Sequence, residues 1–264
     1  MEIGLTDFLK ISITPILIFL VSKAEERYGQ KVSGMLVGLP LTTAPVVLIL
    51  YMEYGLLFTW NVLTGVILSV TSSIVFCVSY FVLARMMSWK LTLAASLLLF
   101  SLTASIFEKI SLSFVVDSLI ATSFLVASLF LRTDTNPEIN ASKFKGDTAY
   151  RVVTATLIVL LITTYANDVG SVLSGIVSNS PVFISTFAVF NHRKGGFLAA
   201  RSFIQGTIRG TIAYLAFFVL LYVTIFKLTI WESFALSVAA SLVISELTYL
   251  LTSSRKPFPS YESP

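Results

Sequence analysis

Tyr28-Gly-Gln-Lys-Val-Ser-Gly-Met-Leu-Val-Gly-Leu-Pro40 and Val169-Gly-Ser-Val-Leu-Ser-Gly-Ile-Val-Ser-Asn-Ser-Pro181 align without a gap at an offset of 141 residues. The register continues beyond the two prolines. Gly29 falls on Gly170, Ser33-Gly34 on Ser174-Gly175, Gly55 on Gly196 and Gly65 on Gly206. One unit has therefore been used twice, and each copy carries a proline inside an apolar run. In a membrane chain, interrupted segments at matching positions of two repeats point to a binding site between them.

The composition leaves no soluble alternative. Of 264 residues, 56% are hydrophobic and 12% charged, against about 25% charged in a soluble domain, and the mean hydropathy is +0.88. Several runs are long enough to cross about 30 Å of hydrocarbon. The fold class expected is all-α integral membrane. Nine spans are expected, near residues 4–22, 32–52, 61–84, 91–107, 111–132, 151–167, 170–190, 202–226 and 232–252. The fourth is short, at the lower limit for a span. Asp7 and Lys10 interrupt the first run and no small-residue cleavage site follows, so it reads as a span and not a cleaved leader.

The 141-residue offset pairs spans 1 to 4 with spans 6 to 9 and leaves span 5 alone. Residues 1–132 then hold repeat one plus the unpaired span, 133–150 a cytoplasmic linker, 151–252 repeat two and 253–264 a flexible tail. An odd number of spans per offset turns the second copy upside down. The repeats are expected to be inverted about a pseudo-two-fold axis in the membrane plane.

Charge gives a test. Nine spans put Lys23, Arg27, Lys31, Arg85, Lys90, Arg132, Lys143, Lys145, Arg151, Arg193, Lys194, Arg201, Arg255 and Lys256 on one side, fourteen of eighteen basic residues. The other side receives Lys10, Lys109 and Lys227, and Arg209 lies inside a span. If residues 91–132 crossed an even number of times, the split without Lys109 and Arg209 would be ten against six. Basic residues stay cytoplasmic, so nine spans are favoured. The chain is expected in the cell (inner) membrane with its N-terminus outside and its C-terminus cytoplasmic. The net charge of +4 then reflects topology and gives no reason to expect a nucleic-acid partner.

The second span reads Val32-Ser-Gly-Met-Leu-Val-Gly-Leu-Pro40-Leu-Thr-Thr-Ala-Pro45. Proline removes a backbone donor and clashes with the preceding turn. Two prolines behind Gly34 and Gly38 argue for a broken helix whose freed amides and carbonyls cannot face lipid. Gly38, Pro40, Thr42 and Thr43 in this span are the candidate binding residues, with Ser178, Asn179, Ser180 and Pro181 in the seventh. A half-helix starting near the midplane presents free N–H groups that suit anions. A proline kink filled by neighbouring hydroxyls is the alternative for either segment.

Three ionisable residues fall inside spans: Asp117, Arg209 and Glu246. A charge at the bilayer centre costs about 2.5–3.5 kcal/mol and so requires a cavity or a partner. Arg209 is the candidate for a substrate anion, and Asp117 or Glu246 for ion coupling; structural ion pairs or snorkelling are the alternatives. None has an ionisable counterpart in the other repeat, Arg209 falling on Leu68 and Glu246 on Ser105. The stripes Ser237, Ser241, Ser245 and Thr248, and Gly206, Gly210 and Tyr214, read as close helix packing.

Cys77 is the single cysteine and His192 the single histidine, so no internal disulfide and no Cys- or His-based metal site is expected. The sequence holds no HExxH, GxSxG or GxxxxGK[ST] pattern. No catalytic residue, cofactor or metal is expected.

The segment Ser33-Gly-Met-Leu-Val-Gly-Leu-Pro-Leu-Thr-Thr-Ala-Pro45, with Arg151-Val-Val-Thr-Ala-Thr and Pro181-Val-Phe-Ile-Ser, resembles a group of uncharacterised bacterial polytopic membrane proteins. Those carry a "GLPLTSGP"-type motif in the first half and an "FPVF"-type motif in the second. The second repeat alone, through Gly175, Pro181 and Phe183, is similar to the small GlpM-like membrane proteins. Neither resemblance implies a substrate.

The function expected is secondary transport, or flippase-like movement, of a small polar or anionic solute by alternating access. Its partners would be the lipid bilayer and that solute, and a homodimer is an admissible assembly. A non-transporting subunit that scaffolds an envelope complex, and a channel, are the alternatives.

Overall fold

The computed structural model describes residues 5–41, 43–110, 113–131, 150, 152–153 and 181–253. Among them are seven α-helices and no strand: α1 (Leu5–Tyr28), α2 (Gln30–Val37), α3 (Thr43–Leu83), α4 (Trp89–Ile110), α5 (Phe114–Ser128), α6 (Val182–Thr224) and α7 (Ile230–Ser253). In α3, α4, α6 and α7 the chain is long and apolar enough to cross a membrane. The sixth span expected from the sequence, and most of the seventh, lie outside the described residues.

α3 and α6 are each two helices joined at one glycine. Forty-one residues in a straight helix would reach about 60 Å, twice the hydrocarbon thickness. Gly55 interrupts α3 at φ 78°, ψ −174°, and Gly196 interrupts α6 at φ 71°, ψ −170°. Only glycine adopts this region without strain. Nothing lies within 4 Å of where a Cβ would stand at either position, so the backbone angle alone selects glycine. The expected loop between the second and third spans does not form, because Gly55 changes the chain's direction within a single residue.

The same local geometry recurs along the two halves at the 141-residue offset. α3 and α6 begin just after Pro40 and Pro181, and they end at Leu83 and Thr224. The Ala84 amide donates to Tyr80 O at 3.0 Å, and that of Ile225 to Leu221 O at 2.9 Å. Thr92 and Ser233 amides close the first turns of α4 and α7 on Ser88 O and Thr229 O, both at 2.9 Å. Leu63 and Ile204, Ile67 and Ile208, and Phe76 and Phe217 are buried pairs at that offset.

Burial follows the logic of a lipid solvent. The apolar windows of α3 and α6 are 72% and 61% buried, whereas those of α4 and α7 are 22% and 17% buried. The first two form the centre and the others the rim. On α4 the inner face is Thr92, Ser96, Phe100 and Ala104, while Leu91, Leu98, Leu102 and Ile106 point outward. On α7 Ser233, Ser237, Ser241 and Thr248 are buried and Leu242, Val243, Leu247 and Leu250 are exposed. Small polar residues inside and large aliphatic ones outside suit a bilayer, where close backbone approach replaces the hydrophobic drive. Some of the inner hydroxyls return their protons to the helix: Ser237 Oγ donates to Ser233 O at 2.7 Å and Thr248 Oγ1 to Ile244 O at 2.7 Å, whereas those of Ser96 and Ser233 have no partner among the described residues. α7 starts with a capping box, in which the Thr229 amide donates to Glu232 Oε2 at 2.9 Å and the Glu232 amide to Thr229 Oγ1 at 3.4 Å.

Several helix limits differ from the hydropathy expectation. α1 runs six residues further, to Tyr28, through an i,i+3 Lys23–Glu26 ion pair of 2.8 Å. It stops at Gly29 with φ 85°. α4 has 22 residues, because its backbone ladder continues past the apolar core through Trp89, Lys90, Glu108 and Lys109. α5 has 15 residues and starts at Phe114, which puts Asp117 in its first turn.

α2 packs against α6 through two facing glycine pairs, Gly34 and Gly38 on one helix and Gly206 and Gly210 on the other. A Cβ on Gly34 would overlap the Phe203 carbonyl oxygen, and one on Gly206 would overlap the Lys31 carbonyl oxygen. One on Gly38 would meet the Thr207 carbonyl and come 2.8 Å from the Gly210 Cα. Each pair is spaced G-x-x-x-G, so both glycines of a pair share a helix face. The packing reading of Gly206 and Gly210 is what the structure places there.

Two predictions follow from these backbones. Overpacking costs about 1–3 kcal/mol where side chains can give way, but here the obstructing atoms are backbone. Gly210→Leu should lower the thermal midpoint of the detergent-purified protein by on the order of 10 °C, while Leu242→Ala on the exposed face should change it little. An unchanged midpoint in Gly210→Leu would refute the close crossing. Gly55→Ala and Gly196→Ala should each cost about 1–3 kcal/mol from backbone strain alone, and the two losses should match; a clear loss in one and none in the other would contradict the shared geometry.

Candidate functional site

The glycine crossing ends where α2 ends. Gly38 is the C-cap of α2 at φ −72°, and Pro40 cannot donate to Leu36 O. That carbonyl is met instead by the Leu39 amide at 3.1 Å, and the Leu41 amide turns to Leu39 O at 2.8 Å. The helix is thus interrupted from Gly38 to Leu41 and resumes at Thr43. The Ala44 amide donates to Pro40 O at 3.0 Å and, in the other half, the Ser185 amide to Pro181 O at 2.7 Å. Pro181 is the buried N-cap of α6, and no side chain caps that end.

Of the residues singled out from the sequence, Gly38, Pro40, Thr43 and Arg209 come together. Gly38 contacts Gly210, the neighbour of Arg209, near the middle of the α6 arm that follows Gly196. Thr43 is 2% exposed and its side chain lies beside the Tyr214 hydroxyl, one helical turn beyond Gly210. Arg209 is half-buried, and its Nη1 is buried with no acceptor among the described residues. Lys31, at the start of α2, lies close enough for the two positive charges to repel each other. Five guanidinium donors held beside a second cation favour an anion. Thr42, Ser178, Asn179 and Ser180 lie outside the described residues.

The two carboxylates lie on other helices, α5 and α7. Asp117 is 2% exposed, on the buried α5 stripe that continues through Ala121, Leu125 and Ser128, and neither oxygen has a hydrogen-bond partner among the described residues. Glu246 is on the exposed face of α7. Neither forms an ion pair with Arg209.

The structure adds a buried carboxylate that the sequence reading passed over. Glu25, in the last turn of α1, is 1% exposed. Its Oε1 accepts from Asn191 Nδ2 at 2.6 Å and from Ser33 Oγ at 3.3 Å, linking α1, α2 and the first arm of α6. Next to Asn191, His192 is half-buried, with its Nδ1 3.4 Å from the Tyr80 hydroxyl. In Lys23-Ala-Glu-Glu-Arg27 either glutamate reads as a solvated charge at a span end. The available signal was helix phase, which sets Glu25 with Ile18, Val21 and Ser22 on one face.

Two side chains pin the neighbouring helices to α6. Arg201 Nε donates to Phe81 O at 3.0 Å, its guanidinium 4.1 Å from the Phe81 ring centroid. Gln205 Nε2 donates to Leu131 O, just past α5, at 2.9 Å. No group of three or more His, Cys, Asp or Glu able to hold a metal occurs among the described residues. No family model, no curated protein and no solved structure matches this chain.

Proposed function

We propose that the protein is a secondary carrier, or flippase-like mover, of a small anionic or polar solute working by alternating access. The observation that carries this reading is a broken helix packed on the arm of α6 that carries a mid-span arginine. The Gly38–Leu41 interruption begins against Gly210, next in sequence to Arg209, whose buried Nη1 lacks an acceptor among the described residues. Interrupted backbone inside a bilayer is tolerated only where protein or a cavity receives it. An arginine there calls for a counter-charge that a substrate anion can supply.

The proposal includes nine spans and two inverted repeats, with the N-terminus outside and the C-terminus cytoplasmic. The basic-residue split supports that topology. The recurrence of the Gly55 and Gly196 angles, and of helix starts after Pro40 and Pro181, supports a duplicated unit. The solute would bind at Gly38, Pro40, Thr43 and Arg209, with Thr42 and Ser178 to Pro181 completing the site from both repeats. Asp117, buried without a hydrogen-bond partner among the described residues, is better placed for ion coupling than the exposed Glu246.

The test uses purified protein and a panel of inorganic phosphate, acetate, succinate and glycerol phosphate. At least one should raise the thermal midpoint, and Arg209→Ala should remove that shift. Proteoliposomes should take up the stabilising anion, and Pro40→Leu, Pro181→Leu and Arg209→Ala should each abolish uptake while leaving membrane insertion intact. Normal uptake in all three variants would overturn the site. No anion response, together with a stable co-purifying partner, would favour a scaffolding subunit.

A further inference from the structure

We infer that the solute is a compact dianion of the phosphate-monoester class, held between Arg209 on α6 and Lys31 on α2, an assignment that rests on the carrier reading above. The crossing of the two helices brings these cations to one place. The Lys31 carbonyl oxygen stands where a Cβ on Gly206 would be, and the Met35 carbonyl oxygen does the same at Gly210. Gly206 is three residues before Arg209, so the backbone of Lys31 meets α6 within one turn of the arginine. The two side chains are close enough for their charges to repel. Neither side chain makes an ion pair among the described residues.

The face of α6 on which Arg209 stands is polar. Ser202, Gln205 and Arg209 are partly exposed along one strip, while Phe203, Ile204 and Ile208 are buried. That is the reverse of α4 and α7, where aliphatic side chains face outward and serines and threonines inward. The strip turns apolar at Ile212, so Arg209 is its last polar residue. Gln205 gives its amide to Leu131 O, whereas the buried Nη1 of Arg209 has no acceptor among the described residues. A guanidinium is a planar fork of donors and an ammonium a point charge. A carboxylate answers only one of the two charges. A phosphate monoester carries close to two negative charges and three acceptor oxygens on a single group. Charge left over inside a bilayer is costly, so neutralising both cations favours the dianion over a monoanion. Two cations at one helix crossing favour one doubly charged group over two carboxylates set apart. At the repeat offset Lys31 falls on Val172 and Arg209 on Leu68, so the pair occurs once per chain. The same phosphate group can end a soluble ester or a lipid, and the experiment separates the two.

The thermal midpoint of the purified full-length protein is titrated at neutral pH and constant ionic strength with three anions. These are glycerol phosphate, a monoester dianion; dimethyl phosphate, a diester monoanion; and succinate, whose two charges are set apart. The monoester should bind about tenfold more tightly than the diester, the worth of one added charge-assisted contact. Lys31→Gln should bring the monoester down to the level of the diester, and Lys31→Arg should restore the preference. Lys31 meets α6 through its backbone and its side chain is exposed, so both variants should fold. A parallel titration in phosphatidylcholine nanodiscs compares phosphatidic acid, a lipid monoester, with phosphatidylglycerol, a lipid diester. A response to phosphatidic acid without one to glycerol phosphate assigns the monoester to a lipid, and the converse to a soluble ester. Equal binding of monoester and diester in both formats, or a preference undiminished in Lys31→Gln, would overturn the dianion. Succinate binding as tightly as the monoester would overturn the phosphate class while leaving the carrier reading intact. A monoester that binds through Lys31 and Arg209 but never enters proteoliposomes would contradict the carrier and not this site.

Discussion

The backbone contact between α2 and α6 is the constraint on which the rest depends. Four glycines let two helices approach until the carbonyl of one fills the place of the other's missing Cβ. In lipid, where no hydrophobic drive brings helices together, such approach supplies the association. The contact also sets position along the membrane. It anchors the last turn of α2 against the middle of α6, and so the interruption at Gly38–Leu41 begins against Gly210, one turn before Tyr214. A looser crossing would leave the same residues with nothing to meet.

The halves share shape and differ in charge. Angles at Gly55 and Gly196, helix starts after the two prolines and small buried residues on the rim helices all recur at one offset. Arg209, Glu25 and Asn191 have apolar counterparts in Leu68, Ala166 and Leu50. A common scaffold with unlike polar groups is what a directional device needs, because two identical halves would present the same chemistry to both sides.

Glycine and proline were the legible part of the sequence because they act on the backbone locally. The break at Pro40 and the all-helical class follow from residues read one at a time, whereas the joints at Gly55 and Gly196 read as parts of loops between spans. Helix lengths were less legible. Hydropathy marks the part of a helix inside hydrocarbon, whereas the hydrogen-bond ladder of α4 continues into its charged ends. The pairing of Gly34 and Gly38 with Gly206 and Gly210 could not be read, since each pair looks complete alone. Glu25 was missed for a related reason. Its burial depends on the side of α1 that meets α2 and α6, and Glu26, one residue on, pairs with Lys23 at the surface.

The most direct test of the proposed inverted-repeat carrier is the side of the membrane on which each end of the chain lies. With Cys77 replaced by alanine, a single cysteine at Glu2 or at Ser263 is offered to a membrane-impermeant maleimide in intact cells. The account predicts that the Glu2→Cys protein is labelled from outside and that the Ser263→Cys protein is labelled only after permeabilisation. Labelling of both from the same side would mean an even number of spans, and the inversion of the repeats would fall with it.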